Sequence, residues 1–232
     1  SWGTTPSLTI DPAITSIGGN VNSASKSGDD QYEVMSGTSM ASPQVAGMAA
    51  VVAQYIRENG LAAKTGLTVR QLTNSLLMST AEPVIEEATG LPYSVLNQGA
   101  GLANVGSAVT ADSYVLVKDN LSGTASDGKV KAEFGDDPER TGAYSFGFSL
   151  NNLTDAAENY TFSAELFTQD IFEDVYNKAG DTADFLDTRT APLATGVTYT
   201  VDGKTFVPTA AVEADVNGDG VINAQDALDI RT

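Results

Sequence analysis

Hydrophobic positions along the chain change their period once, near residue 111. Before it, apolar residues recur at helical spacing; after it, they alternate. The longest apolar stretch runs from Met40 to Ile56 and closes at Asn59-Gly60, a helix C-terminal signal. Its apolar residues (Met40, Val45, Ala46, Met48, Ala49, Val51, Val52, Ile56) leave almost no polar face, so a helix buried on all sides is expected. Only 111 residues lie before the change of period, little to cover such a helix, and more protein is expected to precede Ser1. Thr68-Val69-Arg70-Gln71 has the Thr-x-x-Gln form of a capping box and predicts a second helix. Leu72, Leu76 and Leu77 form its apolar stripe, and Pro83 stops it. Gly99-Ala100-Gly101-Leu102 reads as a turn into a short helix, roughly 105–111. Residues 1–35 read as extended and loop structure, with Leu8-Thr9-Ile10 as a short apolar piece and Gly18-Gly19 as a turn.

Beyond Asp112 the period is two. Tyr144, Phe146, Phe148 and Leu150 alternate with small polar residues, and so do Tyr160, Phe162, Ala164 and Leu166. Val130, Ala132 and Phe134 repeat the pattern, as do Val197, Tyr199 and Val201. Alternation of this kind predicts half-buried strands, with Asn151-Asn152-Leu153-Thr154-Asp155 as a loop between two of them. Several short strands separated by turn signals suggest a sandwich. Residues 168–195 are polar and acidic, and are expected to form a long loop or insertion.

A chain of 232 residues supports one or two domains, and 41% hydrophobic with 18% charged residues is ordinary for a globular protein. No apolar run approaches the ~20 residues that a bilayer span needs. Ser1-Trp2-Gly3-Thr4-Thr5-Pro6 has neither the basic start nor the apolar stretch of a signal peptide. The net charge of -18 is uneven: residues 1–111 hold 8 acids and 4 bases, residues 112–232 hold 22 acids and 8 bases. Phosphate binding needs clustered Lys and Arg, so nucleic acids and anionic membranes are poor partners. The absence of cysteine excludes disulfides, zinc-thiolate sites and thiol catalysis, and is compatible with the cytosol or with a bacterial surface. Histidine is absent too, and that zero decides most about chemistry.

Gly37-Thr38-Ser39-Met40-Ala41-Ser42-Pro43 is the most specific signal in the chain. A serine at the start of a buried helix is held rigidly, while the first backbone N–H groups and the helix dipole face a developing oxyanion. Small residues at 41 and 42 let the helix pack close beneath the site. Taken alone, Thr38 or Ser39 could simply be a helix cap. The whole heptad, however, resembles the active-site serine motif of the subtilases at all seven positions. Ser1-Trp2-Gly3, Gly18-Gly19, Val45-Ala46-Gly47 and Gly99-Ala100-Gly101-Leu102 resemble later landmarks of the same family. The likeness is to large cell-surface subtilases related to lactocepins and C5a peptidase, which carry a fibronectin-like β domain after the protease. Two positions depart from the family pattern: Ser16-Ile17-Gly18 stands for Ala-Pro-Gly, and Gln44 for the His of Ser-Pro-His-Val. Neither supplies catalytic chemistry in the family, and both read as drift.

The resemblance implies Ser39 as nucleophile, with the partner Asp, His and side-chain oxyanion donor upstream of it. A serine hydroxyl needs a base, and the base needs an orienting group. With no histidine and only 38 residues before Ser39, the chain alone is expected to be inactive.

Near the C-terminus, Asp215-Val216-Asn217-Gly218-Asp219-Gly220-Val221-Ile222-Asn223-Ala224-Gln225-Asp226 has the form of a twelve-residue EF-hand loop. Asp215, Asn217 and Asp219 fall at positions 1, 3 and 5, the Val221 carbonyl at 7, Asn223 at 9 and Asp226 at 12, an oxygen set suited to Ca2+. The bland alternative is an acidic, Gly-rich linker. Asp at position 12 and the following Ala227-Leu228-Asp229-Ile230 resemble a dockerin loop. Dockerins carry two such loops and bind cohesin modules of a scaffold; positions 10 and 11, here Ala224 and Gln225, contribute to partner choice. One loop is half of that module.

The fold expected is therefore α/β, the C-terminal part of a subtilisin-like domain over 1–111. A fibronectin-like β-sandwich over 112–212 and a partial dockerin over 213–232 follow it. The function expected is that of a fragment of a secreted or bacterial cell-surface serine endopeptidase acting on polypeptides. The alternatives are a calcium-dependent attachment module and a structural surface protein carrying a vestigial protease segment.

Overall fold

A computed structural model describes residues 5, 9–87, 90–117, 127–133 and 146–161, and the backbone of strands at 3–4, 167–174, 185–192, 199–201 and 204–206. The chain divides into two compact units, one of residues 1–86 and 95–154, the other of 87–94 and 155–232.

In the first unit, β1 (Gly3–Thr4) pairs antiparallel with β2 (Ile10–Asp11), and β3 (Val21–Ala24) with β4 (Tyr32–Met35). Five helices follow: α1 (Thr38–Glu58), α2 (Leu61–Thr65), α3 (Val69–Ser79), α4 (Val95–Gln98) and α5 (Val105–Val109). β5 (Ser113–Val117) and β6 (Phe148–Asn152) form a third antiparallel pair, with Val115 opposite Leu150. Each sheet among the described residues is two-stranded; parallel pairing occurs there only as an isolated bridge between Thr15 and Leu102.

Helix ends follow the expected chemistry. Thr68 caps α3 by accepting from the Gln71 N–H, while the Gln71 side chain accepts from the Thr68 N–H at 3.0 Å, so the capping box is closed in both directions. Asn104 caps α5 through the Ser107 N–H. α1 ends at Asn59, with Gly60 in the left-handed region.

The core lies where α1, α3, α5 and β5 meet: Val52 and Ile56 from α1, Leu72, Leu76 and Leu77 from α3, Ala108 and Tyr114, with Leu61 of α2 beside them. Burial pushes the Tyr114 phenol above its ordinary pKa, because the charged form would lose its water. Fully buried Ser75 donates to the Val115 carbonyl at 2.6 Å, and Ser79 Oγ accepts from the Val115 N–H at 2.9 Å. These two hydroxyls satisfy both backbone groups of one β5 residue, which makes a polar pair tolerable at the helix–strand contact.

The loop expected at 151–155 begins two residues later, since Asn151 and Asn152 pair with Tyr114 and Ser113 as the end of β6, and three further expectations differ from the structure. α1 is not buried all round: within it only Val52 and Ile56 are buried, and Val51 is 52% exposed. In its N-terminal half Met40, Ala41, Gln44, Val45, Met48 and Ala49 are only half-buried. Residues 129–133 have no regular structure where alternation predicted a strand. Five residues of alternation, 130–134, stand near the lower end of the four to eight that signal a strand, and a pattern that short does not by itself secure a pairing partner. Residues 168–195 hold paired strands instead of a long loop. In the second unit, β7 (Phe167–Asp174) pairs antiparallel with β8 (Phe185–Pro192) over eight residues, with Asp170 opposite Arg189. The Ile, Phe and Thr residues of that stretch carry the strand propensity that its acids hid. β9 (Tyr199–Val201) and β10 (Lys204–Phe206) form a hairpin across the predicted Val197–Val201 strand. The calcium-loop residues Asp215, Asn217, Asp219, Val221, Asn223 and Asp226 lie outside the described residues.

Candidate active site around Ser39

Ser39 is the second residue of α1, fully in the helix and exposed. The helix starts there because Gly37 adopts φ 157° and ψ 165°, ending the strand β4, while Met40 already donates to the Gly37 carbonyl at 3.0 Å. Gly37 has no side chain to cap the helix, and no side-chain cap is made. The first N–H groups of α1 are therefore not occupied by a cap, unlike those of α3 and α5, and the positive end of the helix dipole stands beside the Ser39 hydroxyl. Among the described residues that hydroxyl has no hydrogen-bond partner. Pro43, inside the first two turns, removes a donor whose usual partner would be the carbonyl of Ser39.

The loop ahead of the helix start is tied down from three directions. The Gly37 N–H donates to the Gly18 carbonyl at 2.7 Å, and the Asn20 N–H donates to Ser36 Oγ at 2.8 Å. Gln44, on the next turn of α1, donates from Nε2 to the Ile17 carbonyl at 2.8 Å. A Cβ at Gly18 would stand 2.7 Å from the Gly37 carbonyl oxygen and 3.3 Å from the Ala41 Cβ, so the two backbones touch at this point only because residue 18 is glycine. The Ser16–Gly18 segment is thus part of the site's frame.

Around this frame several large apolar side chains are exposed among polar ones. Ile17 (61%), Tyr32 (70%), Val34 (62%) and Met35 are exposed. Further back, Gly99-Ala100-Gly101-Leu102 is wedged between two other segments. Ala100 donates to the Ala13 carbonyl, Thr15 to Gly101, and Glu82 and Leu102 exchange both backbone hydrogen bonds at 3.0 and 2.7 Å.

No group of His, Cys, Asp or Glu among the described residues could hold a metal ion, and no described helix is long and apolar enough to cross a membrane. Ser39 is where the sequence motif puts it, at the head of α1. The framing role of Ser16, Ile17 and Gln44 was not foreseen, although the signal was present: two departures from one motif family within a single chain.

Residues 2–135 match the model of the Subtilase family, peptidase S8. The C5a peptidase of Streptococcus pyogenes is 35% identical over 123 residues, which is 53% of this chain and 10% of that protein. The PII-type proteinase of Lacticaseibacillus paracasei is 34% identical over 118 residues, 48% of this chain and 6% of that protein. A PII-type proteinase of Lactococcus lactis subsp. cremoris is equally similar, at 34% over the same length. The chain thus spans about a tenth or less of the curated relatives it matches.

Proposed function

Since the chain belongs to the subtilase family, we propose that it carries the nucleophile of a serine endopeptidase, with Ser39 attacking the scissile carbonyl of a polypeptide. One observation carries this reading: Ser39 stands exposed at the uncapped start of α1, inside a motif that fits the family at seven of seven positions. Attack by Ser39 Oγ forms a tetrahedral oxyanion, which the early N–H groups of α1 stabilise. Collapse breaks the C–N bond, the amine leaving with the proton that the base took from Ser39, and water then hydrolyses the acyl-enzyme to free the acid and restore the Ser39 hydroxyl. The base that takes the Ser39 proton comes from outside these 232 residues, since they contain no histidine. The partner Asp, His and side-chain oxyanion donor belong to the same complete protease, a secreted or bacterial cell-surface protein.

The chain alone is expected to cleave no peptide above the rate of its Ser39→Ala variant. A fluorogenic peptide assay on both proteins checks this, and turnover abolished by Ser39→Ala would mean that a base exists within the chain.

We further propose that residues 112–212 include a fibronectin-like β domain and that residues 215–226 bind Ca2+ as half of a dockerin. Support for the calcium site is the donor set: three carboxylates, two carboxamides and a backbone carbonyl, hard oxygens at EF-hand spacing. With a second such loop the module would attach to a cohesin scaffold. Calorimetric titration of the chain with Ca2+ is expected to give one site, weakened roughly tenfold or more by Asp215→Ala, because charge count sets affinity in such loops. Equal binding by the variant would contradict the assignment.

A further inference from the structure

The two segments at which the chain departs from its family's pattern, Ser16-Ile17 and Gln44, touch each other. Gln44 uses both sides of its carboxamide: Nε2 donates to the Ile17 carbonyl at 2.8 Å and to the Met40 carbonyl at 3.3 Å, and Oε1 accepts from the Ser16 hydroxyl at 3.3 Å. An alanine at position 16 could not make the last contact. A neutral imidazole at position 44 has one donor and one acceptor, so it could not hold two carbonyls and accept from a hydroxyl at once. The set of bonds is therefore specific to the residues of this chain, and a carboxamide does not titrate across the range in which an imidazole does.

What the carboxamide holds is the segment that frames the nucleophile. Ile17 is followed by Gly18, whose carbonyl accepts from the Gly37 N–H at 2.7 Å; Ser36, the residue before, accepts from the Asn20 N–H at 2.8 Å. The path from Gln44 to Ser39 is short and covalent or hydrogen-bonded at each step. It lies away from the core of Val52, Ile56, Leu72 and Leu76, in a part-buried to exposed region. Loosening it should move the helix start without unfolding the unit.

We infer that Gln44, with Ser16, is a positioning residue for Ser39: it clamps the Ser16–Gly18 segment to α1 and so fixes the backbone at Ser36 and Gly37, from which the nucleophile projects. The inference rests on the reading of Ser39 as nucleophile. A displacement of about 1 Å at a reacting atom costs on the order of a hundredfold in rate, and substrate affinity need not change with it.

The test uses the complete protease and measures kcat and KM on a peptide, the rate of Ser39 labelling by a fluorophosphonate, and the thermal midpoint. Gln44→Ala and the near-isosteric Gln44→Glu, which loses both donors, are expected to lower kcat and the labelling rate by roughly tenfold to a hundredfold. KM should stay within about twofold and the thermal midpoint close to that of the parent protein. Ser16→Ala should lower kcat less, and should add nothing to Gln44→Ala, since it acts through the same carboxamide. Unchanged kcat in Gln44→Glu, or full additivity of the two substitutions, would overturn the inference. So would a loss of kcat that only tracks loss of folded protein in Gln44→Glu and Ser16→Ala alike. A parent protease that is not labelled at Ser39 would instead overturn the nucleophile reading beneath it.

Discussion

Ser39→Ala in the complete protease is expected to lower kcat on the order of a million-fold, the scale that removing the nucleophile has in subtilisin. The variant should fold as the parent does. Ser39 is exposed, its hydroxyl has no partner among the described residues, and alanine is the better helix former. The loss therefore falls on chemistry. Without the hydroxyl no acyl-enzyme forms, and whatever rate persists comes from the oxyanion site and substrate binding acting on water. KM should change little, which separates this variant from one that damages the substrate cleft. Steady-state kinetics on a single peptide, with circular dichroism of both proteins, checks the two halves of the expectation.

Gly101→Ala is expected to be strongly destabilising in the first unit. Gly101 has φ 122°, and a Cβ there would lie 2.4 Å from the Glu82 carbonyl oxygen and 2.6 Å from its carbon. These are backbone atoms, and Glu82 exchanges two hydrogen bonds with Leu102, so neither strand can retreat without breaking the pairing. The disfavoured dihedral and the overlap together should cost about 3 kcal/mol or more, a large part of a domain's usual 5–15 kcal/mol. For a unit of this size that lowers the thermal midpoint by roughly 6–12 °C. Gly47→Ala is the contrast, since a Cβ there meets nothing within 4 Å and the site is mid-helix; it should stabilise by about 0.5–1 kcal/mol. Urea unfolding of the chain with each substitution decides the matter.

The two long helices were legible in the sequence because each carried an apolar pattern and an end signal, whereas the short α2 and α4 carried neither. Thr68 and Gln71 announced the start of α3, and Leu72, Leu76 and Leu77 gave its buried face. Asn59-Gly60 announced the end of α1. What sequence alone could not give was how much of α1 is covered, since a run of apolar residues says what could be buried and not what is present to bury it. The β7–β8 hairpin was hidden for a different reason: strand propensity in Ile171, Phe172 and Thr188 was masked by acids at neighbouring positions. Gly99-Ala100-Gly101 read as a turn, but its glycines are needed for close backbone approach to Ala13 and Glu82, a tertiary fact with no local trace.

The Ser39 motif was legible because it is dense: seven consecutive positions at the start of α1. Its frame was not. Ser16 and Gln44 are 28 residues apart, and only folding brings the hydroxyl and the carboxamide together. Departures from a motif are easily taken for drift when each is seen singly. Here they meet, the Ser16 hydroxyl donating to Gln44 Oε1 at 3.3 Å.

The most direct test of the account labels the complete protease with a fluorophosphonate and maps the site by tryptic digestion. Ser39 lies in the peptide of residues 27–57, between Lys26 and Arg57. A single phosphonylated residue is expected in that peptide, Ser39, and no label in the Ser39→Ala protein. Label on another residue, or equal labelling of the Ser39→Ala protein, would contradict it.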